Sequence, residues 1–492
     1  MTCDETSPDD AVDARTDRWL RAGAGGSRTC ERVIETSISW VYLYEDRALK
    51  LKKPVNFDFV DFSTLDQRGW AARRELMFNR LTAPDLYRGV HAITRAVHGG
   101  LEMDGPGAVL DWVVEMRRFD DDALLSRRLP ADGAMGEALG REIARVHLAA
   151  AQGLAGGGAE GLAYVISSNT VQLQDCSDVL DAEPVQALIA ATQDAFMRVS
   201  GLLDQRYGQG FCRACHGDLH TANIIIEDGA PIVFDGIDFN DRLREIDIGY
   251  DLAFLLMDLT FRGSEQAANR ALNGWLDAAA RAFDGALWEG LGALPLFQSV
   301  RAAVRAHVSA REGKANEARR YLASAREYLR PAPARLLAIG GLSGTGKTTL
   351  AHRLAPSLGA APGAVILRSD EIRKRLWNSA ALEPLGPQAY TPAASERVYE
   401  AMMAAAGACL AVGCSIIADA VFLDPGRRAQ IEALAHSHGV AFEGIWLDAP
   451  AEILVARLGA RRGDASDADA RVLERQRLQA PGEITWRRQG SI

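Results

Sequence analysis

Residues Gly341 to Thr348 read Gly-Leu-Ser-Gly-Thr-Gly-Lys-Thr, a complete match to the phosphate-cradling pattern G-x-x-x-x-G-K-[ST]. Few octapeptides constrain a fold so tightly. The glycines take backbone angles that side chains disfavour, and the loop they make turns successive N–H groups toward one point. Such a loop works where a strand delivers the chain and a helix N-terminus carries it away. Both flanks comply. Leu336-Leu337-Ala338-Ile339 is an apolar run of strand type, and Thr348-Thr349-Leu350-Ala351-His352-Arg353-Leu354 reads as a helix. The residues expected to contact a nucleotide are therefore Gly341, Ser343, Gly344, Thr345, Gly346, Lys347, Thr348 and Thr349. Lys347 would reach the β- and γ-phosphates of ATP, and the Thr348 hydroxyl would sit on Mg²⁺.

Beyond this loop, short apolar strands alternate with helices to the end of the chain, the pattern of a parallel sheet wound by helices. Just before it, Arg330-Pro331-Ala332-Pro333-Ala334 interrupts a long helical stretch and marks a boundary. The reading divides the chain into a flexible tail over 1–30, a first domain over 31–330, a linker over 331–335 and a second domain over 336–492. The glycine-rich run Ala22-Gly23-Ala24-Gly25-Gly26-Ser27 is what places the tail. In the first domain, Ile38 to Leu51 reads as a hairpin broken at Glu45-Asp46-Arg47. Ser63 to Leu81 reads as a helix capped by Ser63 or Thr64, and strands follow near 90–97 and 109–117. Helical spacing then dominates, over Leu139–Ala151, Pro184–Leu203, Tyr250–Leu259, Glu265–Phe283 and Leu296–Leu329.

With 492 residues, 48% of them hydrophobic and 24% charged, the composition is that of an ordinary globular chain. A formal net charge of −10 argues against a broad electrostatic grip on duplex nucleic acid, though a small groove for nucleic-acid ends would not show in a sum. Seven dispersed cysteines do not make a disulfide framework and suit a reducing compartment. Cys212 and Cys215 form a C-x-x-C beside His216, but the second pair that a zinc site needs is missing. The acidic start lacks the apolar core of a signal peptide, and no uncharged stretch is long enough for a bilayer span. The expectation is a cytoplasmic protein without a membrane partner. Oligomeric state leaves no mark in the sequence.

A second constellation lies in the first domain. His216-Gly217-Asp218-Leu219-His220-Thr221-Ala222-Asn223 precedes the run Ile224-Ile225-Ile226, and Asp235 follows in Ile232-Val233-Phe234-Asp235-Gly236. This spacing suits phosphoryl transfer to a hydroxyl: one carboxylate accepts the proton, while an amide and a second carboxylate hold Mg²⁺ against the triphosphate. H-G-D-x-x-x-x-N followed by an apolar hairpin and an Asp resembles the signature of aminoglycoside phosphotransferase-like and choline-kinase-like enzymes, which share the protein-kinase-like fold. The resemblance implies that Asp218 is the catalytic base, that Asn223 and Asp235 are metal ligands, that His216 braces the loop and that Asp251 supports it. It also implies a phosphate-contacting lysine with a glutamate partner. Lys50, in Ala48-Leu49-Lys50, and Glu75 are the candidates, with Lys52 and Lys53 close enough to compete. The segment Glu35-Thr36-Ser37-Ile38-Ser39-Trp40 departs from the pattern, since a glycine-rich loop belongs there and no glycine is present.

In the second domain, Ser369-Asp370-Glu371-Ile372-Arg373-Lys374 follows the strand Ala364-Val365-Ile366-Leu367 at the end where ligands of open α/β sheets gather. Asp370 could accept an acceptor's proton and Arg373 could neutralise a phosphate. Asp-x-x-Arg here resembles P-loop kinases such as polynucleotide 5′-hydroxyl kinases, and the layout is also similar to gluconate- and shikimate-kinase relatives. Asp419 ends another strand, in the place of the acid that organises Mg²⁺ in P-loop proteins. Arg457, Arg461 and Arg462 look like the arginine-bearing lid of small P-loop kinases.

The expected fold is thus an α+β protein-kinase-like domain followed by an α/β P-loop domain with a parallel sheet. The expected activity is ATP-dependent phosphotransfer to the hydroxyl of a small molecule of unidentified kind. Two alternatives stay open. One domain could be catalytic and the other a nucleotide-binding regulator, or the P-loop half could be a polynucleotide 5′-hydroxyl kinase-like enzyme. Each half carries its own lysine, acids and metal candidates, so the sequence predicts two chemically independent sites.

Overall fold

The computed structural model describes residues 14–26, 28–57, 59–283, 285–460 and 465–490. The chain forms two compact units. One comprises the chain up to Arg128 with 151–156 and 213–246; the other comprises 129–150, 157–212 and everything from Asp247 onward.

The first unit is built on a six-stranded antiparallel sheet. Its spatial order is Arg32–Glu35, Ser39–Leu43, Arg47–Lys52, Val109–Arg117, Tyr87–Arg95 and Leu101–Met103. Strand alternation sends neighbouring side chains to opposite faces. Leu43, Ala48 and Val114 therefore pack on one face with Ala72 of the helix Leu65–Asn79. Tyr42, Leu49, Leu51 and Val113 pack on the other. The helix starts where its sequence says it should: Thr64 caps it in a capping box with Gln67. The second face is covered by residues that the sequence reading assigns to a poorly ordered tail. Ala14–Arg21 is a helix, Leu20 is fully buried, and the Tyr44 hydroxyl donates to the Leu20 carbonyl at 2.6 Å. A sheet with two apolar faces needs two covers, and this short polar helix supplies part of the second through Leu20 and Trp19 and through Asp17, which accepts from the Tyr42 hydroxyl at 2.8 Å. In the same unit, Ile224–Glu227 and Ala230–Val233 pair as a hairpin. Its two-residue turn puts Asp228 at φ 49° and Gly229 at φ 79°, the left-handed angles that a tight hairpin turn favours.

The second unit opens with helices. Gly133–Ala149, Gly158–Asp175, Ala182–Gly208, Ile248–Phe261 and Glu265–Ala279 are followed by Leu294–Arg311 and Ala315–Tyr328. The stretch read as one helix over Leu296–Leu329 is two, because Gly313 takes φ 74° and stops the first. Gly158–Asp175 has no counterpart in the sequence reading, where its glycine-rich start concealed it. Leu173, Leu188, Phe254, Met257, Ala306 and Tyr321 form the core between these helices.

From Arg335 a five-stranded sheet follows, with every neighbouring pair parallel. Its order is Val365–Arg368, Ile416–Asp419, Arg335–Gly341, Ala441–Asp448 and Arg487–Gly490, so the strand that feeds the glycine loop is central. Leu337, Ile339, Ile366, Ile417 and Ile445 pack with Leu350 and Ala351 of the helix after that loop. Asp419 pairs in register with Ile339 on one side and Arg368 on the other, which lines up the strand ends that carry the candidate residues. No described helix is long and apolar enough to cross a membrane.

Candidate active sites

In the first unit, Lys50 and Lys52 lie two apart on one strand and so share a face. Both reach Glu75 on the helix Leu65–Asn79, each at 2.9 Å. Lys50 also meets Asp235 at 2.5 Å, and Lys52 meets Asp238 at 2.7 Å. Lys53 points elsewhere, to Glu35 and over the Trp40 ring. Two ammonium groups therefore face three carboxylates in a buried chain. Burial opposes the charge on Glu75, but Lys50 and Lys52 together outweigh it and push its carboxyl down to about 2. Burial holds Asp238 above the ordinary range, despite Lys52 and with the like charge of Glu75 adding to it.

The Glu75 result carries a sign. A carboxyl depressed from 4.5 to about 2 contributes stability that is present above pH 4.5 and lost as pH falls toward 2. Glu75→Gln is expected to lose about 3–5 kcal/mol at neutral pH, because it leaves two buried ammonium groups short of a partner. Its stability curve should also be flatter than the parent's between pH 4.5 and 2. Urea unfolding at a series of pH values checks both; parallel acid limbs would remove Glu75 from the linkage.

The loop from His216 to Asn223 runs beside the segment that holds Asp235. Phe234 N–H donates to Asn223 O at 3.0 Å, Ile237 N–H to His216 O at 2.9 Å, and His216 Nε2 lies 2.8 Å from Phe234 O. His216 thus ties this loop to the segment that holds Asp235. Asn223 Nδ2 donates to both the backbone and the carboxylate of Asp218, at 2.9 and 3.0 Å. The side chains of Asp218 and Asp235 remain 41% and 42% exposed, open to a ligand. Asp235 sits at φ 61°, an uncommon angle for a non-glycine residue. Its N–H donates to the Tyr87 hydroxyl at 3.1 Å, and Gly236 N–H to Asn79 Oδ1 at 2.8 Å. Tyr87, Asn79 and Asp238 were all missed by the sequence reading. Where a glycine loop is missing, Thr36 closes a tight turn by accepting from Ser39 N–H at 2.9 Å. Asp251 is fully buried in the other unit, where it pairs with His147 at 3.1 Å.

In the second unit the glycine loop has the backbone its motif demands. Gly341, Gly344 and Gly346 take φ 136°, 89° and 88°, and a Cβ on Gly341 would meet Leu447 O at 2.5 Å. Lys347 Nζ donates to the Gly341 and Leu342 carbonyls at 2.9 and 3.0 Å. Thr345 Oγ1 donates to Leu342 O at 2.8 Å. Thr348 Oγ1 donates to Asp419 Oδ2 at 2.6 Å. Burial raises the Asp419 carboxyl, and Lys347, Arg368 and Thr348 only partly offset this.

A cavity of about 880 Å³ opens over this loop. Its walls bring together Ser343, Gly344, Gly346, Lys347, Thr348, Thr349, Asp370, Arg373, Asp419 and Arg457 from the sequence reading. Arg457 donates to Gly344 O at 3.5 Å. Arg373 is buried, donates to Ala389 O and lies 4.9 Å from the Tyr390 ring centre. Arg461 and Arg462 lie outside the described residues. The walls also carry Arg368, Arg427, Arg475 and Gln476, which sequence reasoning missed. Gln476 clamps the loop twice, accepting from Ser343 N–H and donating to Ser343 Oγ, both at 3.0 Å.

Both halves of the chain resemble known protein families. Residues 71–294 match the family model of the phosphotransferase enzyme family, and residues 336–481 match that of an AAA domain. The uncharacterised protein Rv2004c of Mycobacterium tuberculosis is 32% identical over 464 residues, covering 89% of this chain and 88% of that one. The chain belongs to the same family. It joins a domain of the phosphotransferase enzyme family to a P-loop kinase-like domain with an all-parallel sheet. An adenylyl-sulfate kinase of Myxococcus xanthus is 30% identical over 122 residues, which are 25% of this chain and 62% of that one. A thermostable mutant of aminoglycoside phosphotransferase APH(4)-Ia aligns with a TM-score of 0.40 and 14% identity over 64% of this chain and 98% of that one.

Proposed function

We propose that this protein is an ATP- and Mg²⁺-dependent phosphotransferase with two sites, each moving the γ-phosphoryl group of ATP to a hydroxyl of a small molecule. What supports the reading is that each half assembles a proton acceptor, a lysine and a set of hard oxygen donors from its own residues. In the first half, Asp218 takes the acceptor's hydroxyl proton as the new O–P bond forms and the bond to the ADP oxygen breaks. Lys50, held by Glu75, faces the phosphates. Asn223 commits its Nδ2 to Asp218, which leaves its Oδ1 to join Asp235 as a metal ligand. In the second half, Asp370 is the base, and Arg373, Arg457 and Arg461 meet phosphoryl oxygens. Thr348 and Asp419 form the second donor pair. Carboxylate, amide and hydroxyl oxygens are the ligands Mg²⁺ takes, and the ion when bound neutralises charge on the phosphate oxygens. The protein works in the cytoplasm.

One observation favours a second reading. The turn at Thr36 replaces a glycine loop, so the first half could bind nucleotide to regulate rather than to turn it over. A screen with γ-labelled ATP over sugars, polyols, aminoglycosides, nucleosides, adenylyl sulfate and 5′-hydroxyl oligonucleotides tests both. The expected result is Mg²⁺-dependent transfer of label, with two nucleotide sites by calorimetry on the intact chain. Transfer that survives Asp218→Asn for every acceptor would favour the regulatory reading. A single nucleotide site, lost with either Lys347→Ala or Asp235→Asn, would overturn the two-site reading.

A further inference from the structure

The strand Val365–Arg368 is an edge of the parallel sheet, and such an edge presents backbone groups that need partners. Here the partners are side chains of the helix Glu265–Ala279, which belongs to the stretch matched by the phosphotransferase family. Asn269 Nδ2 donates to Ala364 O at 3.0 Å, and Asn273 Nδ2 donates to the same carbonyl at 3.2 Å. Asn273 Oδ1 accepts from Ile366 N–H at 2.7 Å. One acceptor and one donor, two residues apart, are satisfied as a neighbouring strand would satisfy them. Asn269 is fully buried, and Asn273 Nδ2 also bonds Asn269 at its carbonyl, so the pair is held as a unit.

The contact continues along the next element. The strand runs directly into the helix Ser369–Leu376, which carries Asp370 and Arg373. Asp277, one turn beyond Asn273, accepts from Arg375 Nη1 at 2.6 Å, and the carboxylate is buried. Arg281 Nη1 then donates to Ser379 O at 2.7 Å. The strand that leads into the short helix is therefore held through Asn273, and the end of the helix through Asp277.

We infer that Asn273 and Asp277 are positioning residues for the P-loop site, so that this site is completed by a helix from the other side of the linker. The inference rests on the roles proposed for Asp370 and Arg373. It replaces the independence that the sequence predicts with a dependence that runs one way, from the first domain to the second site.

The test uses the full chain carrying Asp218→Asn, so that turnover reports the P-loop site. Asp277→Ala should lower kcat for ATP about ten- to a hundredfold while KM for ATP changes less than about twofold, because the loop binds nucleotide and the helix aims the chemistry. Asp277→Glu, or the exchange Asp277→Arg with Arg375→Asp, should recover most of that loss. Hydrogen exchange of residues 365–376 gives a readout that needs no chemistry: Asn273→Ala should raise exchange there, with the central strand 335–341 unchanged. Turnover that disappears with Lys347→Ala and Asp370→Asn but ignores Asp277→Ala would overturn this inference alone. Silence of Asp370→Asn would overturn the underlying reading of the site, and this inference with it. A loss that follows thermal stability and is not recovered by the charge exchange would reduce Asp277 to a fold-supporting residue and also overturn it.

Discussion

Lys347→Ala is expected to lower ATP turnover at the P-loop site about a hundred- to a thousandfold, the scale on which removal of one preorganised electrostatic donor is felt. The ammonium rests on the Gly341 and Leu342 carbonyls, within its own loop. In the proposed role a change of side-chain rotamer would bring it to the β- and γ-phosphates, where a charge-assisted bond is worth roughly twice a neutral one. A second effect adds to the first. Asp419 is raised by burial, and Lys347 is the largest influence holding it down. Without that charge the carboxyl should ionise at a higher pH still. The loss should thus deepen as pH is lowered through a series of values from 8 downward. Lys347→Arg should not restore activity, since a planar fork does not replace a compact ammonium in a loop this tight. Calorimetry with Mg²⁺–ATP and steady-state turnover across that pH range check the expectation; unchanged turnover would remove Lys347 from the chemistry.

Asp218→Asn is expected to lower phosphoryl transfer by the first site about a hundred- to ten-thousandfold, the usual worth of a general base, with nucleotide affinity nearly unchanged. The substitution keeps an oxygen that can accept from Asn223 Nδ2, so the loop between them should hold its shape. What it removes is the capacity to take a proton. Asp235→Asn should behave differently. Asp235 is paired with Lys50, so its loss would change the charge around that lysine as well as the proposed metal set. It should weaken Mg²⁺–ATP binding itself. Measuring nucleotide Kd and kcat for both variants separates the roles, and identical behaviour would mean that the two aspartates do not divide the work as proposed.

The parts of this molecule that were legible in its sequence are those where chemistry dictates spacing. The glycine loop needs φ angles that few residues other than glycine take up, and its strand and helix follow from apolar periodicity. Asp218, Asn223 and Asp235 sit in one short loop and the hairpin after it, so their nearness in space follows from nearness in the chain. Lys50 and Lys52 could not be told apart, because strand alternation gives both the same face and Glu75 answers both. Gln476 left no signal at all, since the clamp it makes on Ser343 joins residues 133 apart. The helix Ala14–Arg21 was hidden by its own composition. Its polar residues and the glycines after it describe a tail, and only the uncovered sheet face explains why Leu20 is buried.

The asparagines that cap the strand Val365–Arg368 also bear on how such a fusion is inherited. A P-loop unit that travels alone between genes must bring its own cover for that edge, or it will stack with other copies through Val365, Ile366 and Leu367. Here the cover is borrowed from the upstream neighbour. Recombination that swapped the downstream half for a relative's would keep the catalytic loop but lose the matched pair of Arg375 and Asp277. An exchange of either half is expected to cost this edge its cover unless Asn273 and Asp277 are matched anew.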